Sequence, residues 1–246
     1  MTAEIQVRKS YSLADFHRCV EIQREVWGES DLETEPYVTF VVANQTGGQV
    51  LCAFDGDKMV GFTMALAGVR NEAPYLHSHM TAVIASHRDR GVGRLLKLFQ
   101  RDEALSRGIR LIEWTFDPLE TRNAHFNFNR LGAIARSFIP NFYGVTSSPL
   151  HRGLPTDRLL AEWFIDSQRV ANAVSNAPAE LNSSPATIRV PTEINGWQKT
   201  DLPRVAAEQS RIRNEFQSWF AKGYAAIGVR TTPSGADYAL APWSDF

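Results

Sequence analysis

The chain has 246 residues, enough for one large domain or for one domain with an appendage. Hydrophobic residues make up 43% and charged residues 22%, ordinary values for a globular protein, and the formal net charge is −1. That balance provides no general attraction to nucleic acid or to an anionic membrane surface, so neither is expected as a partner.

The first residues read as a strand rather than a signal peptide, with Ile5 and Val7 alternating with polar neighbours over 4–9. Ser12 stands where a helix N-cap is needed, with Asp15 three residues on. Leu13, Phe16, Val20 and Trp27 then recur at helical spacing until Gly28 ends the helix. An acidic loop follows over 29–36, and 37–44 is apolar enough to be a short helix or a strand. Residues 49–54 and 58–69 form a hairpin around Asp55-Gly56-Asp57. Cys19 and Cys52 are too few for a disulfide framework, so buried, reduced thiols and a cytoplasmic location are expected.

After a turn over 70–74, a strand over 75–85 runs into Arg88-Asp89-Arg90-Gly91-Val92-Gly93-Arg94, and a helix over 91–107 starts at once. A strand, a glycine turn and a helix N-terminus make an anion site, because unpaired backbone N–H groups and the positive dipole end point outward. Gly91 and Gly93 would let a ligand approach the backbone. Arg88, Arg90 and Arg94 crowd a helix end where cations are normally unfavourable, which makes sense if an anion sits there. The dinucleotide fingerprint fails because its sixth position is Leu96, and the Gly-Lys-Ser/Thr of a nucleotide P-loop is missing.

A strand over 109–116 is broken by Asp117-Pro118. Asn123 to Gly132 reads as a short helix with a glycine C-cap. Residues 133–139 and 158–167 are a closing strand pair, with Asn141-Phe142-Tyr143-Gly144 as a loop between them. A linker is expected over 169–187, rich in Ala, Asn, Ser and Pro. Beyond it come a strand over 187–190, a helix capped by Asp201 with Pro203 behind it, and a hairpin over 224–230 and 236–240. About sixty residues are marginal for an independent core, so this tail is expected to dock on the main domain or on a second copy of the chain in a homodimer.

Arg88-x-x-Gly91-x-Gly93, preceded by Ala82-Val83, resembles the acyl-coenzyme-A loop of the GNAT N-acetyltransferase superfamily. Phe128 and Gly132 match the spacing of the helix those proteins carry after the next strand. The resemblance covers residues 4–168. It extends to predicted acetyltransferases with a C-terminal extension, through Asn123-Ala-His-Phe-Asn, Asn141-Phe-Tyr-Gly and Leu154-Pro-Thr-Asp-Arg-Leu. It implies an α/β fold with a mixed, mostly antiparallel sheet flanked by helices. The organisation is then a domain over 1–168, the linker over 169–187 and a strand-helix-hairpin extension over 188–246.

The resemblance also implies transfer of an acyl group, most simply acetyl from acetyl-coenzyme A, to the amine of a small molecule or amino acid. The coenzyme pyrophosphate would lie on Arg88, Asp89, Arg90, Gly91, Val92, Gly93 and Arg94, with Thr81, Ala82 and Val83 offering backbone groups to the pantetheine and the acetyl oxygen. Asn123 and Asn127 could bond the coenzyme, although the usual Asn position is held by Thr121.

Period two puts His77, His79, Thr81 and Val83 on one strand face, and by the resemblance His77 stands where several GNAT enzymes carry a carboxylate on this strand. Either histidine could accept the amine proton near neutral pH. Two strand histidines satisfied by their neighbours is the competing reading. A His-x-His pair also suits a metal, but no third ligand is evident, so no metal is expected. Phe128 stands where many relatives have a tyrosine acid, so Tyr143 or solvent would protonate the thiolate. Trp27, Glu33, Glu35 and Tyr37 could bind an amine with an apolar body. A non-catalytic acyl-coenzyme-A sensor and a metal-dependent enzyme are the alternatives.

Overall fold

The computed structural model describes residues 4–28, 33–144, 153–177 and 186–243. It divides into two compact units, the first reaching to Glu113 and the second beginning at Trp114. The division falls inside a strand rather than at the expected boundary after residue 168.

The first unit opens with β1 (Gln6–Lys9) and α1 (Leu13–Trp27), which buries Phe16, Cys19, Ile22 and Gln23. Ser12 occupies the N-cap, but its side chain makes no capping bond. Asp15 instead accepts from the Ser10 hydroxyl at 2.7 Å and pairs with Arg8 at 3.1 Å. Gly28 ends α1 in the left-handed region at φ 64°, as its position requires.

The apolar stretch that composition left open is helical, α2 (Tyr37–Gln45). Phe40 and Ala43 face the core while Val38 and Val42, one turn apart, face out. Strands β2 (Gln49–Asp55), β3 (Lys58–Arg70) and β4 (Ala73–Val83) pair antiparallel in sequence, with β1 on the far side of β2. The helix α3 (Val92–Ser106) follows β4, and β5 (Leu111–Phe116) pairs with β4 in parallel at Leu76 and His77. The core joins α1, α2 and α3 to the sheet, with Phe16, Phe40 and Phe62 at its centre. Each such side chain taken from water contributes about 1.5–3 kcal/mol.

In the second unit α4 (Thr121–His125) runs into a π-helical turn over Phe126–Arg130, starting two residues earlier than the sequence suggests. Gly132 closes it at φ 79°. Strands β6 (Ile134–Ile139) and β7 (Arg158–Phe164) pair antiparallel. The expected linker begins as a helix, α5 (Gln168–Val174), whose Arg169 donates to the Gly132 carbonyl. An added Cβ on Gly132 would lie 3.0 Å from the Val170 Cα, so glycine is what lets α5 sit this close.

The tail adds β8 (Ala186–Pro191), α6 (Ile194–Thr200), which composition did not reveal, α7 (Leu202–Phe220), β9 (Tyr224–Thr232) and β10 (Gly235–Pro242). Asp201 caps α7 as expected, accepting from the Arg204 N–H at 3.1 Å. The strand order within this unit is β7-β6-β9-β10-β8. Phe116, Phe128, Tyr238, Phe216 and Phe138 pack edge to face or stacked in a continuous run, which ties the tail to residues 114–139. The Tyr238 hydroxyl donates to the Pro118 carbonyl at 2.6 Å inside this core. Arg213 of α7 grips the buried Asp157 with two bonds of 2.8 and 2.9 Å.

Candidate active site

The turn after β4 is built to leave backbone exposed. Gly91 is the N-cap of α3 at φ 81°, no side chain caps the helix, and its first turn holds no acid. A Cβ placed on Gly91 or Gly93 would meet nothing within 4 Å, so both face open space. Asp89 also adopts a left-handed backbone, at φ 61°. Val92 turns inward and is buried, which fixes the direction of the helix.

The loop has its own anchor. His87 Nε2 lies 3.0 Å from Asp55 Oδ2 at the β2–β3 turn, and its Nδ1 lies 2.9 Å from the Ser86 hydroxyl. Arg88 Nε donates to the Val83 carbonyl at 3.2 Å, and Arg90 lies 4.0 Å from Asp55. The residues therefore fit a diphosphate: an uncapped helix end of fifteen residues, two glycines with clear space before them, and exposed arginines beside them.

Strand β4 is irregular where the chemistry was expected. Met80 opposes Met64 and Ser78 opposes Ala65, so His79 is an extra residue in a β-bulge. Period two is interrupted there, and His77, His79, Thr81 and Val83 do not form one continuous face. Thr81 meets the Thr63 hydroxyl at 2.8 Å.

The two histidines differ in surroundings. His77 opposes Glu113 on β5, which is buried and ion-paired with Arg70. Burial, then the nearby His79, Arg70 and Lys97, push His77 down to about 4, well under the ordinary value its expected role assumed. It is neutral at pH 7 and a weak base. Lys97 of α3, buried under Ser78, donates to that hydroxyl at 3.1 Å and to Gln100 Oε1 at 2.6 Å, and burial pushes it down to about 7.

His79 instead faces a carboxylate. Its Nε2 lies 3.4 Å from Glu35 Oε1, and the side chains keep 27% and 35% of their surface open. Both can reach solvent and a ligand.

Of the other expected acceptor residues, Tyr37 is exposed, with its ring 4.4 Å from that of His17 and tilted by 35°, while Trp27 packs against the core. Glu33 is partly buried. Tyr143, Asn123 and Asn127 belong to the second unit. Tyr143 is exposed, within 2.9 Å of the Thr115 hydroxyl, and Asn123 is exposed. Asn127 is 2% exposed, which does not favour the expected contact with a coenzyme. Phe128 is buried between Phe116 and Tyr238 and has no proton to give.

Asp55, His87 and Gln23 were not singled out by the sequence. Asp55 read only as part of the Asp55-Gly56-Asp57 turn. Among the described residues no three His, Cys, Asp or Glu side chains could hold a metal ion, and no helix is long and apolar enough to cross a membrane.

Residues 16–133 match the family described as Acetyltransferase (GNAT) family. The fold is similar to that of the ribosomal-protein-S18-alanine N-acetyltransferase from Escherichia coli, with TM-score 0.53, 16% identity, and 67% of this chain and 96% of that one covered. It is also similar to Arabidopsis thaliana NAA60 in complex with acetyl-CoA, with TM-score 0.52, 14% identity and coverage of 65% and 99%. An acetyltransferase of the GNAT family from Streptococcus pneumoniae gives TM-score 0.51, 16% identity and coverage of 65% and 98%. A comparison with curated proteins finds no match.

Proposed function

We propose that this protein, whose residues 16–133 match the acetyltransferase (GNAT) family, transfers the acetyl group of acetyl-coenzyme A to a primary amine. The observation that carries the reading is the turn after β4, where Gly91 and Gly93 face open space at an uncapped helix end. Arg88 and Arg90 flank that turn and would meet the coenzyme phosphates. The coenzyme supplies the acetyl group as a thioester. A backbone N–H among Thr81 to Val83 would bond the acetyl oxygen.

The protein's task is then to take a proton from the incoming amine. His79 does this, at the ring nitrogen not turned to Glu35, while the Glu35 carboxylate steadies the imidazolium that forms. The amine nitrogen bonds to the acetyl carbon, the bond to sulfur breaks, and the thiolate takes a proton from solvent. His77, held neutral and weakly basic, is a lining residue of β4 in this reading.

The test is thiol release from acetyl-coenzyme A with ethylamine, lysine and an alanyl peptide as acceptors. Amine-dependent release with formation of the acetylated amine supports the reading. Tight coenzyme binding with no release for any amine would favour the non-catalytic sensor instead.

A further inference from the structure

Gln23 is a fully buried polar side chain on the inner face of α1, among Phe16, Cys19 and Ile22. A buried amide must find partners, and this one finds both in a single residue twelve positions away. Its Oε1 accepts from the Glu35 N–H at 2.9 Å, and its Nε2 donates to the Glu35 carbonyl at 3.1 Å. The side chain thereby pairs with the Glu35 backbone as a neighbouring strand would.

Pro36, at the N-cap of α2, disfavours helical backbone at Glu35 and holds it outside the helix. Glu35 Oε2 accepts from the Thr39 hydroxyl at 3.0 Å, one turn into α2. Backbone and one carboxylate oxygen are thus fixed by Gln23 and Thr39, and the second oxygen is left facing His79 at 3.4 Å. His79 is itself held out of the regular ladder by the bulge in β4.

We propose that Gln23 is a positioning residue for the acetyl transfer. It clamps the Glu35 backbone so that the carboxylate meets the imidazole of His79. This rests on the reading of His79 and Glu35 as the proton-accepting pair. Gln23 touches neither the amine nor the coenzyme and acts through Glu35 alone.

The experiment compares Gln23→Met, Glu35→Gln and the double variant of the full chain, by thiol release with the amines named above and by hydrogen exchange of the Glu35 amide. Methionine keeps the volume and removes both bonds. Turnover of Gln23→Met should fall by up to about 10²-fold, the cost of misplacing a catalytic group. Acetyl-coenzyme-A affinity should stay at the wild-type level, and the Glu35 amide should exchange faster. Because Gln23 acts through Glu35, the double variant should be no slower than Glu35→Gln alone.

Wild-type turnover in folded Gln23→Met, or losses that multiply in the double variant, would overturn the proposal. Wild-type turnover in both Glu35→Gln and His79→Gln, with the Glu35 amide still exchanging faster in Gln23→Met, would overturn the base reading and leave the clamp as a structural fact. Should Gln23→Met fail to fold, Thr39→Val frees only the carboxylate and should lower turnover in the same direction. Wild-type turnover there would count against the carboxylate's position mattering.

Discussion

Glu35 Oε1 and His79 Nε2 lie 3.4 Å apart, joining the start of α2 to the bulge in β4 across 44 residues of chain. The contact separates two histidines that the sequence treats alike. His79 has an acid beside it and open surface, whereas His77 is pressed against burial and positive charge.

Replacement of each histidine by glutamine should therefore have unequal effects. His79→Gln should lower turnover by about 10²- to 10⁴-fold, the usual contribution of a general base. His77→Gln should cost much less, because a base near 4 accepts little proton from an amine. Equal losses in both variants, in a steady-state assay, would return the assignment to the strand as a whole.

The glycine loop can be tested without any acceptor. Gly93→Val places a branched side chain in the space before α3, where nothing else stands within 4 Å. Calorimetry should show acetyl-coenzyme-A affinity lost while the melting temperature is kept. Gly91→Val should lose affinity too, and should also destabilise by about 1–2 kcal/mol because its backbone is left-handed.

His77 also makes acid stability predictable. Its value falls from 6.5 in the free side chain to about 4 in the fold. Between those pH values the unfolded chain binds the proton and the native chain does not, so stability rises with pH through that window. The contribution is complete above 6.5 and is lost as pH falls towards 4. It amounts to about 3 kcal/mol at most, at 1.36 kcal/mol per unit. Urea unfolding of His77→Gln at pH 4.5 and pH 7 should show a smaller loss on acidification than the wild type; parallel losses would contradict the assignment.

The ion pair that holds α7 gives a stability test in the second unit. Asp157 has no exposed side-chain surface, so Arg213→Ala leaves a buried charge that keeps the Asn141 N–H but loses its guanidinium. Breaking such a pair costs about 3–5 kcal/mol. The denaturation midpoint should drop by a matching amount at pH 7 and recover in part in the Arg213→Ala/Asp157→Asn double variant.

Much of the fold was legible because its signals are local. The helical spacing of Phe16 and its apolar neighbours on α1, the left-handed demand at Gly28 and Gly132, and the Asp201 cap all lie within a few residues of what they determine. The glycine turn between β4 and α3 was legible for the same reason. The distinction between His77 and His79 was not, because it depends on Arg70, Lys97 and Glu35, which folding alone brings near. The bulge at His79 leaves no mark in an alternating pattern. Helix α5 is held in place by a distant contact, Arg169 with the Gly132 carbonyl, that no local pattern reveals. Asn127 shows the converse: a side chain that suits a ligand was taken by the interior.

The pairing of β9 with β6 changes what a shortened chain would be. Ala226 of β9 lies against Ala135 of β6, and β10 and β8 continue outward from there. A chain cut after residue 168 would strip the hydrogen-bonding partners from one side of β6 and uncover Phe128 and Phe138, which now pack on Tyr238 and Phe216. An open, apolar sheet edge recruits strands from other molecules. A fragment ending at residue 168 is thus the one most prone to insolubility, and the last sixty residues shield β6 and its neighbours against self-association.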